Sequence, residues 1–267
     1  MPRFALCQLS STEQPEENIG LIRQQVRAAA EQGAEVAVFP EAMMARFGVP
    51  LAPVAEPLEG PWAQAVAGIA KESDMLVVAG MFTPAPEGRV HNTALVTGRG
   101  THTGYNKIHL YDAFGFHESD TVAGGYRLVT VELDDIAVGV ATCYDLRFPE
   151  LFQSLADAGS SVVVVPTSWG AGEGKREQWE LLVRARALDS GNWVLGCGQA
   201  DPAATGIEVN PKAPTGIGHS MAADPFGKVV TQLGAGPELL VVDVDPELAQ
   251  RSRAATAVLE NRRFGGG

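Results

Sequence analysis

Residues 136–152, IAVGVATCYDLRFPELF, carry a thiol out of an apolar run and into a crowded polar one. Cys143 leaves what reads as a strand and lies a few residues before what reads as a helix. It is either one more small core residue or a nucleophile set at a strand end. Helix N-termini offer free N–H groups and a positive dipole end, and both favour the thiolate. A nucleophile at Cys143 is therefore expected to hold its proton less tightly than an ordinary thiol. Cys7 and Cys197 each sit inside an apolar run and read as core.

Other chemistry-bearing residues stand in similar places. Glu41 follows the buried-strand pattern EVAVFP at once. Carboxyl ends of strands are where α/β proteins build sites, although a solvated loop glutamate would look the same. Lys107, in GYNKIHLYD, interrupts an alternating segment and is equally readable as a lysine on the outer face of a strand. Glu118, in FHESD, has the same two readings as Glu41. His91, His102, His109 and His117 fit no standard ligand spacing, so no metal site is expected. GRGTHTG, residues 98–104, follows a strand but leads into another strand. Without a helix N-terminus it makes no phosphate cradle.

These residues must be held by regular elements. Strands are predicted at 3–9, 35–40, 75–81, 161–166, 192–199, 218–224, 229–233 and 239–245. Hairpins are predicted over 91–110, turning at Gly98-Arg99-Gly100, and over 126–142, turning at Asp134-Asp135. Helices are predicted over 15–32, 61–73, 148–158 and 175–190, with Pro61 and Pro149 in first turns and Gly191 ending the last. No linker or repeat interrupts the pattern. The economical reading is one α/β domain over 1–267, with many strands in mixed directions under covering helices.

Composition narrows the function classes. The net charge of −12 disfavours a phosphate-backbone partner, so no nucleic acid is expected. Three scattered cysteines make a poor disulfide framework and point to a reducing compartment. MPRFALCQLSS opens as a strand and lacks the pattern of a signal peptide. No apolar run approaches the roughly 20 residues of a membrane span. The expectation is a cytoplasmic protein without a membrane partner.

Glu41, Lys107 and Cys143, in that order, resemble the Glu-Lys-Cys triad of the nitrilase superfamily of carbon–nitrogen hydrolases. FPEA, NKIHLYD and CYDLRFPEL resemble that family's blocks around the triad. QWELLVRARALD (178–189) and GHSMAADPFG (218–227) resemble two more. CYDLRFPE is most similar to the branch holding omega-amidases and deaminated glutathione amidases. Asn106 stands where that branch often has Arg, and Gln178 where it often has His. The loop before Glu118 is shorter than in that branch.

The resemblance implies a four-layer α-β-β-α sandwich of two mixed sheets, in chains that pair as homodimers or higher homo-oligomers. It implies a cysteine amidase acting on a small linear amide, with no metal or organic cofactor. Glu41 would serve as general base and then acid, its proton affinity raised in a closed site. Lys107 and the Tyr144 backbone N–H would meet the oxyanion, and Glu118 would position substrate or the leaving nitrogen. Loops 42–57, 111–124 and 167–176 are expected to line the pocket. Arg46, Lys175, Arg176 and Trp169 are their candidate contacts for a carboxylate-bearing substrate, although surface solvation is the favoured reading of each of the three cations. Arg147 is expected to brace the cysteine loop through Asp145, Glu150 or a neighbouring acid. A nitrilase or carbamoyl hydrolase is the alternative on the same scaffold, and a non-catalytic binding protein a further one.

Overall fold

The computed structural model describes residues 1–210 and 213–263. Its strands, in chain order, are β1 (Arg3–Gln8), β2 (Val36–Val38), β3 (Leu76–Pro84), β4 (Val90–Gly98), β5 (Thr101–Asn106), β6 (Asp112–Ala113), β7 (Phe116–His117), β8 (Thr130–Leu133), β9 (Ile136–Val140), β10 (Ser160–Thr167), β11 (Trp193–Gly198), β12 (Met221–Ala223), β13 (Val229–Gln232) and β14 (Glu238–Asp243). The helices are α1 (Pro15–Glu31), α2 (Pro61–Glu72), α3 (Pro149–Asp157), α4 (Lys175–Ser190), α5 (Pro202–Thr205) and α6 (Pro246–Thr256). Two mixed sheets form, ordered β14-β1-β2-β3-β4-β5 and β13-β12-β11-β10-β9-β8, with β6 and β7 a small separate hairpin.

The two-residue side-chain period of a strand explains the layers. In β1, Phe4 and Leu6 point between the sheets, while Ala5 and Cys7 point under α1 and α2. In β10, Val162 and Val164 join the same central core, while Val163 and Val165 point under α3 and α4. Strands buried on both faces read as continuous apolar runs, which is why SVVVVP contains no alternation. Each amphipathic helix closes one outer face. α1 buries Asn18, Ile22, Val26 and Ala29, and α4 buries Trp179, Val183 and Ala187. The result is an α-β-β-α sandwich with one apolar core between the sheets and one beneath each helical layer.

Cys7 and Cys197 are fully buried free thiols in these cores. The helices α5 and α6 were not legible from the sequence. α6 buries only Ala249 and Ser252, so its apolar period is weak; Asp245 caps it by accepting from the Glu247 N–H. One close approach matters for the site. A Cβ at Gly80 of β3 would lie 2.4 Å from the Ala42 nitrogen, so only glycine admits the turn that follows β2. That turn is docked there by the Met44 N–H on the Gly80 carbonyl at 2.8 Å.

Candidate active site

Strand direction gathers the chemistry. β1, β2 and β3 are parallel, and β5 runs with them because β4 is antiparallel to both its neighbours. β9, β10 and β11 are parallel in the other sheet. Leu9 and Gln199, just beyond β1 and β11, form a parallel bridge, so the carboxyl ends of the two sheets meet. Glu41 follows β2, Lys107 follows β5, Cys143 follows β9 and Ser168 follows β10.

Glu41, Lys107 and Glu118 are 1%, 2% and 3% exposed, which overturns the solvated readings of all three. Lys107 Nζ donates to Glu41 Oε1 at 3.0 Å and to Glu118 Oε2 at 2.8 Å. Asn92 Nδ2 donates to Glu41 Oε1 at 2.8 Å and to Glu118 Oε1 at 2.9 Å. The Ser168 N–H donates to Glu41 Oε2 and the Tyr111 N–H to Glu118 Oε2. Two carboxylates thus share one ammonium away from water. Burial pushes the Glu41 carboxyl above its ordinary value; the Lys107 charge opposes this, and Glu118 adds to it. Burial disfavours the Lys107 charge, but Glu118 and Glu41 outweigh it and hold the ammonium well above its usual range.

Cys143 is buried and has a left-handed φ of 46°. For a residue other than glycine that conformation costs about 1–3 kcal/mol, so its surroundings must impose it. Asp145, fully buried, accepts from the Thr142 N–H at 2.8 Å and from the Tyr105 hydroxyl at 2.7 Å. It also accepts from the His109 N–H, and its Oδ1 lies 2.7 Å from His109 Nδ1. The cysteine turn is thereby tied to the segment that carries Lys107. Arg186 of α4 donates to the Leu146 carbonyl at 2.9 Å and braces the turn from its other side. Cys143 Sγ lies 3.7 Å from the Ser168 carbonyl oxygen.

The lowered proton affinity expected at Cys143 is not what the surroundings give. Burial, then the Glu41 carboxylate, push the thiol well above its usual value, and Lys107 only partly opposes them. The turn Cys143–Arg147 is a short 3-10 helix, and α3 begins only at Pro149, so no long helix dipole ends on the sulfur. Cys143 is thus a thiol beside a carboxylate, in surroundings that favour its protonated form.

A pocket opens onto Cys143, Glu41, Lys107 and Glu118, walled by Tyr111, Phe116, Tyr144 and Trp169. Two of the expected contacts lie elsewhere. Arg46 pairs with Glu13 outside this pocket, and Arg176 is exposed and pairs with Glu180 at 2.8 Å. Successive helix residues point about 100° apart, so at the start of α4 it is Lys175 and not Arg176 that lines the pocket. Arg147 braces neither Asp145 nor Glu150. It lies over the rings of Tyr144 and Trp169, donates to Gln178 Oε1 at 2.7 Å and lines the pocket. Trp169 lines it as expected, its Nε1 held on the Lys175 carbonyl. Pro214, between α5 and β12, adds a wall that the three expected loops did not include.

Sequence reasoning missed Asn92, Ser168 and Gln199. Gln199 Nε2 donates to the Glu41 carbonyl at 2.8 Å and to Ser11 Oγ at 2.7 Å, fixing the turn that bears the carboxylate. The only signal for Asn92 was a polar residue interrupting the apolar pattern of β4.

The family model described as carbon-nitrogen hydrolase matches residues 3–254. The chain is 50% identical over 266 residues to Hydrolase Rv0480c of Mycobacterium tuberculosis, covering 97% of this chain and 95% of that one. It is 32% identical to the deaminated glutathione amidase of Escherichia coli O157:H7 (96% and 95% covered) and 32% identical to the mouse omega-amidase NIT2 (98% and 95% covered). Among solved structures it superposes on Saccharomyces cerevisiae Nit3, of branch 10 of the nitrilase superfamily, with a TM-score of 0.84 at 27% identity. That match covers 98% of this chain and 97% of the other.

Proposed function

The chain belongs to the carbon–nitrogen hydrolase family, and from that premise we propose that it is an amidase cleaving a small, linear, carboxylate-bearing amide to acid and ammonia through a cysteine thioester. The observation that carries this is the buried Glu41–Lys107 pair beside a conformationally constrained Cys143, all three lining one pocket. An amide is a poor electrophile, and its nitrogen leaves only when protonated, so a two-step path through the sulfur lowers each barrier.

Glu41 takes the thiol proton as the sulfur bonds to the carbonyl carbon. The oxygen becomes an oxyanion that meets Lys107 and the Tyr144 N–H, donors of a kind worth about 3–4 kcal/mol each. Collapse breaks the C–N bond, and the proton on Glu41 passes to the departing ammonia. Water then attacks the thioester while Glu41 takes its proton, and collapse releases the acid and returns the proton to the sulfur. Glu118 keeps the Lys107 ammonium charged and oriented throughout.

Arg147 and Lys175 support the substrate class. Both line the pocket, and among the described residues neither pairs with a carboxylate; each is held against aromatic rings instead. Cations kept this way are available to a substrate carboxylate. Ammonia release across a panel of amides tests the reading. Succinamate is hydrolysed far faster than propionamide, and no carbon dioxide or nitrile consumption accompanies it. A panel in which only nitriles or carbamoyl compounds turn over overturns it. Arg147→Gln raises KM for succinamate about tenfold to a hundredfold, the loss of a charged hydrogen bond of about 1.5–3 kcal/mol, and leaves propionamide almost unchanged.

The family resemblance further supports a single-domain, cytoplasmic homodimer. α4 presents Leu181 and Leu188, two turns apart and both exposed, on its outward face. Sedimentation equilibrium gives twice the chain mass for the native chain and the single mass for a Leu181→Asp, Leu188→Asp variant.

A further inference from the structure

Asn92 lies in β4 and touches every member of the polar cluster except the nucleophile. Its main-chain carbonyl accepts from the Lys107 N–H at 2.9 Å. Its side-chain amide gives one N–H to Glu41 Oε1 and one to Glu118 Oε1. The side chain is 1% exposed and does not line the pocket, so it cannot reach a substrate. Its Oδ1 is buried without a partner among the described residues, a cost of about 1–3 kcal/mol. Packing alone does not require an amide here; what the amide supplies is its two hydrogen bonds to buried carboxylates.

The arrangement of donors is unequal in a useful way. Glu41 Oε1 accepts from both Asn92 and Lys107. Among the described residues, the donor to Glu41 Oε2 is the Ser168 N–H, and the carbonyl of that same residue lies beside Cys143 Sγ. Glu41, Lys107, Glu118 and Asn92 close a ring in which two donors occupy Glu41 Oε1, leaving Oε2, on the Ser168 side, as the less engaged oxygen. We infer that Asn92 is a positioning residue that commits Glu41 Oε2 to proton transfer with Cys143 and holds the two carboxylates at a fixed separation around Lys107. Only an asparagine fits. An aspartate would place a third carboxylate on one ammonium, and an apolar isostere would leave Glu118 Oε1 without its donor.

The chemistry follows from the charges that face Glu41: Lys107, Glu118 and Cys143, with Asn92 and the Ser168 N–H as neutral donors. Asn92 stabilises the carboxylate form of Glu41. Without it Glu41 binds its proton more tightly, both before thiol attack and when the proton must pass to ammonia. The inference rests on Glu41 being the base, and the experiment separates the two claims.

Asn92→Leu and Asn92→Ser are assayed with succinamate across pH beside the native enzyme, and Cys143 alkylation by iodoacetamide is followed over the same range. Thermal melts establish folding, and the serine variant, which makes no cavity that water cannot fill, keeps the test alive if the leucine variant does not fold. The expected result is kcat lowered by about tenfold to a hundredfold, the scale of a small misplacement of a catalytic group. KM stays within about threefold, and the acid limbs of both kcat/KM and alkylation move to higher pH. A folded variant whose limbs stay in place overturns the inference, whether or not kcat falls, because loss of rigidity alone does not move them. Full turnover by Glu41→Gln would instead overturn the assignment of the base, and with it the function proposed above.

Discussion

Cys143→Ala reduces ammonia release to background for every amide while the fold is retained. The loss is on the order of a millionfold, the scale seen when a nucleophile is removed from a coupled catalytic unit. Alanine removes only the sulfur from a buried side chain, and the turn is held by Asp145 and Arg186 rather than by the thiol. The melting temperature therefore stays within a few degrees, as about 1 kcal/mol implies for a chain of this size. Mass spectrometry of acid-quenched native enzyme shows the acyl group of the substrate on the peptide containing Cys143, and the variant shows none. Measurable turnover by folded Cys143→Ala, or an acyl group on another residue, would remove the thioester from the mechanism.

Glu41→Gln loses about two to four orders of magnitude in kcat, the usual contribution of a positioned acid–base group. Both steps suffer. The thiol, pushed well above its usual value, no longer has a group to take its proton, and ammonia no longer has one to supply it. The amide must turn its NH2 either to the Ser168 N–H or to Lys107 and Asn92, all of them donors, so the variant is less stable than the native chain. The native enzyme adds a signature in pH. The rate needs Glu41 ionised, so kcat/KM falls as pH drops through its raised value. The acid limb therefore lies above the range of an ordinary glutamate, because burial, helped by the Glu118 charge, outweighs the Lys107 ammonium and favours the protonated form. An acyl-enzyme burst of normal size in Glu41→Gln would assign the base to another group.

Local patterns carried most of the architecture. α4 was legible to the residue, since Gly174 and Gly191 mark its ends in the left-handed region and apolar residues repeat between them. The hairpin turns at Gly98–Gly100 and at Asp134-Asp135 were equally plain. The end of the chain was not, because α6 buries too few side chains to leave a helical period. Among pocket residues, Trp169 was found while Arg46 and Arg176 were misplaced. Charged side chains near a strand end or in a helix's first turn have sequence contexts that do not say which way they point.

By itself the sequence determined which strands exist, which faces are apolar, and that a thiol, an ammonium and two carboxylates follow strand ends or lie in the loop beyond them. Those facts are local, fixed by a side-chain period of two or 3.6 residues and by turn chemistry. Only the tertiary structure decided that the carboxyl ends of two sheets meet. That meeting takes water from Glu41, Lys107 and Glu118 and turns four ordinary polar residues into one coupled cluster. It also reversed the expectation at Cys143. A short helical turn could have lowered the thiol's proton affinity, but burial beside a carboxylate raises it, because desolvation of a charge outweighs a weak local dipole.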